Sequence, residues 1–457
     1  MLESLKPIKF SPRPHNIVNI INSMASQHYH ELMFLSTLLF LSISLSTQSH
    51  ETLVFPVRKD PTTLQYITGI YQRTPLVPVR LLVDIGNGFM WVICEDNYVS
   101  SSYRPARCNS TQCVLAGPTT CNTCDDTPRP NCNNNTCGLY VNNPISHLIV
   151  EFDDLIDDVV LFRSIHGNFA TVPHFLFSCG ADILRDGLAG GVDGVAGFGR
   201  TKIAIPTQLS SVFNIHPQFA LCLSSSPSSN GFIFVGNGGN YKLAPGIDVS
   251  SFLMRTPLIT NPVSTVALSF PGEASSEYFI GVSSIKVNGK AVKINTTLLD
   301  IDDKGVGGTK ISTVTPFTTM ETSIYKAVTV AFKKEAKAKK MKSVAPVEPF
   351  KACFSSESIK STRVGPDVPI IDLVLGSEDV YWRVFGANSM VEVKEKGVVC
   401  LGLVDGGLSP RTSIVIGGHQ LENNFLEFDL ATSVLRFSSS LLFRQTTCAN
   451  FYFGSKP

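Results

Sequence analysis

The two halves of the chain repeat one short pattern, and this repeat constrains the fold more than any other feature. In the first half, Val83-Asp84-Ile85-Gly86 is followed much later by the glycine-rich residues 194–199. In the second half, residues 307–313 are followed at a similar distance by residues 414–418. Each half therefore carries a strand and turn, then a later apolar stretch that contains glycine. Two related β lobes that face each other across a cleft would produce this arrangement.

The composition agrees with an all-β class. The chain has 29 Phe but 2 Trp, with 34 Gly and 27 Pro, which is typical of short strands joined by tight turns. Its 457 residues are 43% hydrophobic and are sufficient to fill large cores. Lys+Arg 38 and Asp+Glu 37 leave a formal net charge of +1, so the chain lacks the basic field of a nucleic-acid reader. We predict no nucleic-acid partner.

Local patterns predict where the main elements lie. Short apolar segments at residues 53–55, 65–71, 79–84 and 89–94 alternate with turn residues and indicate strands. The best helical pattern covers residues 321–341, where Ile324, Val328 and Phe332 form an apolar stripe. Six lysines crowd its end, and we interpret them as a solvated face that complements the helix dipole.

Cysteine usage predicts a protein from an oxidising compartment. Six of the twelve cysteines form one run with the symmetric spacing C-x4-C-x7-C-x2-C-x7-C-x4-C. A zinc site would need four ligands, yet Cys121-x-x-Cys124 has no second C-x-x-C or paired histidines nearby, so we predict no metal and no cofactor. Disulfides are expected instead; Cys353 with Cys400 fits a bridge in the second half, and the other pairings stay open. The twelve are Cys94, Cys108, Cys113, Cys121, Cys124, Cys132, Cys137, Cys179, Cys222, Cys353, Cys400 and Cys448.

The N-terminal segment predicts secretion. Residues 32–45 form an apolar run that is too short to span a bilayer, and small residues follow it at positions 46, 47 and 49. No other stretch is apolar for about 18 residues, so we expect no membrane span in the mature protein. Three asparagines, Asn109, Asn134 and Asn295, stand in glycosylation triplets that secretion would make usable.

The loop around Asp84 resembles the first catalytic loop of pepsin-like aspartic proteases. In that family, two apolar residues precede Asp-Thr/Ser-Gly, and an apolar strand with Trp follows; here the residues are Leu82-Val83-Asp84-Ile85-Gly86 and then 89–92. Two such aspartates share a proton, so that one carboxylate acts as a base and the other as an acid. The resemblance implies that Asp84 is the remnant of the first aspartate.

The second loop departs from that family. Plant pepsin-like proteases run Gly-Gly-Thr-apolar-apolar-Asp-Ser-Gly-Thr, and the matching residues here are 307–315. Ser312 stands in the place of the second aspartate and Val314 in that of the turn glycine, while Ile85 replaces the hydroxyl residue of the first loop. A single carboxylate cannot complete the acid–base cycle, so we expect proteolysis to be lost.

The segment that corresponds to the flap also departs from the family. Pepsin-like enzymes close a hairpin that bears a tyrosine over the substrate, but residues 150–158 contain four aspartates and no tyrosine. A calcium loop would need oxygen ligands at alternating spacing and a turn glycine. We therefore predict an exposed turn at residues 150–158.

Longer blocks resemble one plant family, the basic 7S globulins and extracellular dermal glycoproteins. These blocks are residues 98–108, 133–138, 175–179, 276–281, 308–312 and 414–420. The resemblance implies an all-β, two-lobed pepsin-like aspartic protease fold with a central cleft. It places an N-terminal extension and signal peptide at residues 1–49, a lobe with the cysteine-rich insertion at 50–247 and a second lobe at 248–457. It also implies an apoplastic or wall location and inhibition of microbial glycoside hydrolases, either xyloglucan-specific endoglucanases or xylanases, in plant defence.

Three functions are compatible with these observations. An inhibitor needs a cation on a stiff loop, because the partner's active site is lined by carboxylates. Arg411, next to Pro410, and Arg363, near Pro366, are the candidates, and each is otherwise an ordinary surface arginine. An active aspartic endopeptidase would use Asp84. A storage or wall-associated binding protein is the third alternative.

Overall fold

The computed structural model describes residues 52–451, except residues 96, 118, 237–240, 244–245, 267, 271 and 394–396. The predicted signal peptide at residues 1–49 lies outside the described residues. The described part consists mainly of strands, which confirms the all-β class.

The strands of the first half are β1 (Leu53–Lys59), β2 (Tyr66–Gln72), β3 (Val77–Asp84), β4 (Trp91–Ile93), β5 (Arg104–Pro105), β6 (Thr120–Asn122), β7 (Thr136–Asn142), β8 (Ile149–Ser164), β9 (Phe169–Gly180), β10 (Gly194–Gly197), β11 (Gln218–Cys222), β12 (Gly231–Val235), β13 (Lys242–Leu243) and β14 (Ile247–Asp248). Those of the second half are β15 (Met254–Ile259), β16 (Tyr278–Ile280), β17 (Val282–Val287), β18 (Lys290–Ala291), β19 (Thr309–Ile311), β20 (Thr318–Met320), β21 (Ser343–Val344), β22 (Cys353–Ser355), β23 (Ser361–Thr362), β24 (Gly365–Pro366), β25 (Ile371–Leu375), β26 (Tyr381–Val384), β27 (Met390–Val393), β28 (Val398–Leu401), β29 (Leu403–Asp405), β30 (Ile414–Ile416), β31 (Phe425–Asp429) and β32 (Val434–Phe437).

Helices are short apart from one. The α-helices are α1 (Thr111–Ala116), α2 (Ile205–Phe213), α3 (Thr322–Ala338), α4 (Gly386–Ser389) and α5 (Gly418–Leu421). Single 3-10 turns lie at Asp182–Arg185, Val249–Phe252, Thr296–Leu299, Ser356–Ser358, Leu441–Arg444 and Cys448–Asn450. Within the described residues, no helix has the length and apolar character needed to cross a membrane.

Helix α3 confirms the helical pattern of residues 321–341. The Glu321 side chain caps its first turn by accepting hydrogen bonds from the N–H groups of Ser323 and Ile324. The apolar stripe is buried, because Ile324 and Phe332 have no exposed surface. The six lysines at its end are all exposed, as a solvated face requires: Lys333, Lys334, Lys337, Lys339, Lys340 and Lys342.

The internal repeat of the sequence corresponds to a repeated arrangement of strands. In the first half, β3 runs parallel to β10, and Asp84 lies beside Gly197. In the second half, β19 runs parallel to β30, and Ile311 lies beside Ile416. Each pair also has an antiparallel neighbour, β4 on β10 and β20 on β30. The two sequence motifs therefore form equivalent strand pairs.

The two halves share one sheet system. Within the described residues, twenty strands are connected by backbone hydrogen bonds, and two four-stranded and two two-stranded sheets lie beside them. Strand β11 of the first half pairs with β31 of the second along five residues. Large side chains fill the interior, with Trp91 and Trp382 both fully buried. The predicted lobe boundary at residues 247–248 falls within β14 and stays a prediction.

All twelve cysteines form disulfides, which fits the prediction of an oxidising compartment. Cys353 pairs with Cys400, as expected. Cys121 and Cys124 pair with different partners and not with each other, so neither thiol is available to a metal. The six bridges are Cys94–Cys179, Cys108–Cys121, Cys113–Cys137, Cys124–Cys132, Cys222–Cys448 and Cys353–Cys400.

This pairing predicts that the purified protein has almost no free thiol. The measurement is a thiol titration of the denatured, unreduced chain, with a reduced sample as the control. A paired framework should give a negligible signal before reduction and the full complement of twelve thiols after it. Two or more free thiols per chain before reduction would contradict the pairing.

Candidate active-site remnant

The structure brings the two predicted catalytic loops together. Asp84 is the last residue of β3, and Ser312 directly follows β19. One side chain links the loops: the Thr313 hydroxyl donates to the carbonyl of Val83 at 2.7 Å and accepts from the N–H of Ile85 at 3.3 Å. The residue pair inferred from the motifs therefore belongs to a single site.

Only the second loop supplies a side-chain hydroxyl to the link between the two loops. Thr313 supplies the hydroxyl from the second loop, but the equivalent position in the first loop is Ile85, which is fully buried and has no polar group. Ile85 therefore cannot return the hydrogen bonds that Thr313 makes. The buried, apolar side chain of Ile85 therefore stands where a second hydroxyl would complete the link.

The side chain of Ser312 forms hydrogen bonds within its own turn. Its Oγ accepts from the N–H groups of Val314 at 3.3 Å and Thr315 at 3.2 Å, and donates to the Thr315 hydroxyl at 3.1 Å. Asp84 caps its turn in the same way, since its Oδ1 accepts from the N–H of Gly86 at 2.8 Å. Serine can thus replace aspartate as a turn cap, but it carries no titratable carboxyl group.

Asp84 is a buried carboxyl group that is harder to ionise than an exposed aspartate. Burial raises the pKa of Asp84 to about 6, against the lowering effect of the hydrogen bond from Gly86. The nearby charge of Glu277 raises this pKa further, and that of Lys310 lowers it. The site therefore contains one titratable aspartate with a neighbouring ion pair in place of a second aspartate.

That ion pair is a feature that the sequence analysis missed. Lys310 Nζ lies 2.6 Å from Glu277 Oε1, and each side chain is 19% exposed. Glu277 lies directly against the first catalytic loop, because a Cβ placed on Gly86 would be 3.0 Å from its Cγ. The signal was present in the motif, where Lys310 occupies a position that is apolar in plant proteases.

A second missed feature is the segment that carries Glu277. We call residues 261–277 the cleft loop. Its Ser276 hydroxyl donates to the carbonyl of Gly86 at 2.6 Å, and the ring of Phe270 packs against Tyr140 with 5.0 Å between centroids. Because Gly86 and Tyr140 belong to the first half, the cleft loop joins the two halves beside Asp84.

The predicted exposed turn at residues 150–158 is wrong. These residues belong to the long strand β8, and their four aspartates are buried. Donors from distant segments reach these carboxylates: Tyr98 donates to Asp158 at 2.8 Å, and Asn133 donates to Asp154 at 2.9 Å. Among the described residues, Asp153 Oδ2 is buried without a hydrogen-bond partner. Burial raises the pKa of Asp153 to about 7. A tyrosine is present on the partner strand β7, where Tyr140 contacts the cleft loop.

Arg411 lies on a loop whose base is held by a hydrogen bond. This loop joins β29 to β30, and the N–H of Gly407 donates to Asp405 at 3.0 Å. Arg411 is exposed, and its guanidinium donates to the Ser264 carbonyl of the cleft loop at 3.0 Å. Leu408, which the sequence analysis did not single out, is 79% exposed on the same loop.

Arg363 lies on a different element. Together with residue 364 it forms the turn between β23 and β24, and its side chain is exposed. Within the described residues, neither Arg363 nor Arg411 forms an ion pair with a carboxylate. Both therefore present a guanidinium that is open to a partner.

The three candidate glycosylation sites lie on the surface. Asn109, Asn134 and Asn295 are all exposed. Two of them use the side-chain oxygen locally: Asn134 accepts from the N–H of Cys124 at 2.9 Å, and Asn295 accepts from the Thr297 hydroxyl at 2.9 Å. These bonds use the amide oxygen and leave the amide nitrogen, to which a glycan would be attached, free of those contacts.

Two family models match the chain. A xylanase inhibitor N-terminal model matches residues 66–237, and a xylanase inhibitor C-terminal model matches residues 277–439. The matches cover both catalytic loops, since Asp84 lies in the first range and Ser312 in the second.

Similar proteins extend the match to nearly the whole chain. A probable aspartic proteinase, GIP2 of Nicotiana benthamiana, is 53% identical over 94% of this chain and 100% of its own length. Gamma conglutin 1 of Prunus dulcis is 42% identical over 94% and 98%. Basic 7S globulin 2 of Glycine max is 36% identical over 89% and 93%.

Solved structures agree with these matches. The crystal structure of EDGP is 55% identical and aligns with a TM-score of 0.87 over 89% of this chain and 99% of its own. Basic 7S globulin from soybean is 36% identical and aligns with a TM-score of 0.76 over 88% and 100%. The chain therefore belongs to the plant family of basic 7S globulins and extracellular dermal glycoproteins, and it has a two-lobed pepsin-like aspartic protease fold.

Proposed function

We propose that this chain is a secreted, proteolytically inactive aspartic-protease-like protein that inhibits microbial cell-wall-degrading glycoside hydrolases in plant defence. The targets would be xyloglucan-specific endoglucanases or xylanases. The observation that carries the proposal is Ser312, which replaces the second catalytic carboxylate in a chain that xylanase inhibitor models match on both sides of the site.

The geometry around Asp84 supports the loss of proteolysis. Peptide hydrolysis by this fold needs two carboxylates that exchange one proton, and Ser312 cannot take part in that exchange. The neighbouring Glu277 is held by Lys310 and by a hydrogen bond from the Thr265 hydroxyl. Glu277 therefore contributes to an ion pair and is not free to act as the missing partner.

An active endopeptidase is the second candidate. It is favoured by the raised pKa of Asp84, about 6, which leaves the group able to exchange a proton in mildly acidic solution. The name of the Nicotiana relative, a probable aspartic proteinase, agrees with this candidate. Assays for inhibition and for proteolysis must therefore be run on the same preparation.

The deciding experiment titrates the purified protein against xyloglucanases and xylanases and, separately, against a denatured protein substrate. Inhibition of a hydrolase without peptide release would support the proposal. Peptide release that Asp84→Asn abolishes would overturn it in favour of the endopeptidase. Neither activity in any assay would also count against it.

We predict that Ser312→Asp alone does not restore proteolysis. The new carboxylate would enter a turn where Val314 stands in the place of the glycine, opposite a first loop in which Ile85 cannot return the Thr313 hydrogen bonds. The measurement is casein cleavage at acid pH, with a pepsin-like enzyme as the positive control. Cleavage by the variant above the background of wild-type protein would show that the second carboxylate is the only missing part.

A further inference from the structure

One outward face of the large sheet carries arginines and aromatic rings that the candidate site does not use. We call it the arginine face and define it by Arg58, Arg80 and Arg163 with Tyr71 and Phe169. The strand register places them on one side. Arg163 pairs with Phe169, Arg80 with residue 69, and Tyr71 lies two residues beyond residue 69 on β2.

The three arginines have no carboxylate partner within ion-pair distance among the described residues. Backbone carbonyls fix two of them: Arg58 Nε donates to Pro227 at 2.9 Å, and Arg80 donates to Gly190 at 2.9 Å. A guanidinium has five N–H donors, so most of these donors still point to solvent. The face therefore presents fixed positive groups with unused hydrogen-bond donors.

The carboxylate of Asp60 lies at the edge of this face, where it engages its own turn. Its Oδ1 accepts from the N–H groups of Thr62 at 3.1 Å and Thr63 at 2.8 Å. These bonds, chiefly the one from Thr63, lower the pKa of Asp60, and the charge of Arg80 lowers it slightly more. Asp60 thus stays ionised without pairing directly with an arginine.

The aromatic rings lie beside the arginines and are open to solvent. Tyr71 is 39% exposed and Phe169 is 42% exposed, and their rings meet edge to face with 5.4 Å between centroids. The Arg163 guanidinium lies 5.4 Å from the Phe169 centroid. Exposed rings stabilised in this way offer a flat apolar surface next to a charge.

A shallow cavity continues the face towards β1. Its volume is about 440 Å³, and Arg58 and Arg80 both line it. Its floor includes Gly69, which is exposed and has no side chain to obstruct an extended ligand. The cavity and the two rings therefore lie on the same side of neighbouring strands, with the arginines beside them.

We propose that the arginine face binds a linear acidic polysaccharide whose sugar units carry carboxylates. Arginine matches a carboxylate with two parallel hydrogen bonds, and the apolar side of a sugar ring packs on an aromatic ring. A nucleic acid fits less well, because its binding depends on many phosphate contacts and this face is defined by three arginines. The site is distinct from the loops around Asp84 and from Arg411, so it does not depend on the proposed function.

The test is equilibrium binding of fluorescent polygalacturonate fragments to the full chain at low and moderate salt. We expect saturable binding that weakens with salt and is lost when the carboxylates are methyl-esterified. Arg58→Gln together with Arg163→Gln should weaken binding at least about tenfold, because each removes a charge-assisted contact. Tyr71→Ala should weaken binding and leave the salt dependence unchanged. Arg255→Gln, which changes an exposed arginine of β15 in the second half, is the matched control and should bind as wild type does.

Every changed side chain is exposed, so each variant is expected to fold. Circular dichroism and thermal unfolding would check this. Four results would overturn the proposal. The first is no binding by wild-type protein, and the second is equal binding of esterified and free polygalacturonate. The third is unchanged binding by the folded double variant. Equal affinity for a DNA strand of the same charge would also overturn it, since that would indicate a general polyanion surface.

Discussion

Arg411→Ala is expected to weaken inhibition of a sensitive glycoside hydrolase by at least about tenfold. The active site of such an enzyme is a groove lined by carboxylates, so a protein that blocks it needs a cation on a stiff support. Arg411 has that support, because its guanidinium donates to the Ser264 carbonyl and the Gly407 N–H donates to Asp405 at the base of the same loop. Truncating a charged anchor that becomes buried in a complex typically costs about 2 kcal/mol or more, a loss of about thirtyfold in affinity. The measurement is the inhibition constant of each purified protein.

The controls for Arg411 separate a specific contact from general charge. Lys337→Ala removes a cation from the exposed basic end of α3, and it should change the inhibition constant little. Arg363→Ala tests the second candidate, which lies in the turn between β23 and β24. Equal inhibition constants for wild type and Arg411→Ala, with the fold intact, would place the contact elsewhere, and Arg363 would be examined next.

Motif spacing was sufficient to locate the centre of the site. Asp84 and Ser312 each follow a strand of the repeated element, so matching the two halves of the sequence placed them in equivalent loops. The same comparison identified Ile85 and Val314 as departures from the residues expected in those loops. Such features are local, because a turn is determined by a few consecutive residues.

Contacts between distant segments could not be predicted in this way. The sequence analysis predicted an exposed turn at the buried aspartates of β8, because the residues that donate hydrogen bonds to them are remote in sequence. Tyr98 and Asn133 are two such donors. Four acidic residues are rarely buried without such partners, and the sequence does not indicate which partners will be near. The cleft loop was missed for the same reason, since its contacts with Gly86 and Tyr140 join different halves.

Lys310 is an intermediate case. Its charge in an otherwise apolar motif was visible, but its meaning depends on Glu277, which packs against the Asp84 turn only in the folded chain. A buried or half-buried charge is stable when it is paired, so an unexpected lysine in a cleft motif indicates an acidic partner nearby. This reasoning predicts a partner but does not identify which residue it is.

Asp84→Asn is expected to stabilise the folded protein at neutral pH, although Asp84 is the last carboxylate of the catalytic pair. The pKa of Asp84 is raised from 3.8 to about 6, so the folded state binds this proton more tightly than the unfolded state does. The associated stability is present at low pH and is lost as pH rises from about 4 to about 6. Above that range both states are ionised, and the buried charge costs about 3 kcal/mol, at 1.36 kcal/mol for each pKa unit. Asparagine fills the same space without a charge and also accepts a hydrogen bond from Gly86.

The difference between variant and wild type should therefore depend on pH. Thermal and denaturant unfolding at about pH 7 should show Asp84→Asn to be the more stable protein, and the difference should nearly vanish at about pH 4. Asp60→Asn is a control of opposite sign, because hydrogen bonds from Thr63 and Thr62 lower the pKa of Asp60 and its carboxylate stabilises the fold at neutral pH. If the Asp84 carboxylate were hydrated in the folded protein, Asp84→Asn would be equal to or less stable than wild type at pH 7. That outcome would contradict the burial of Asp84 and the raised pKa that follows from it.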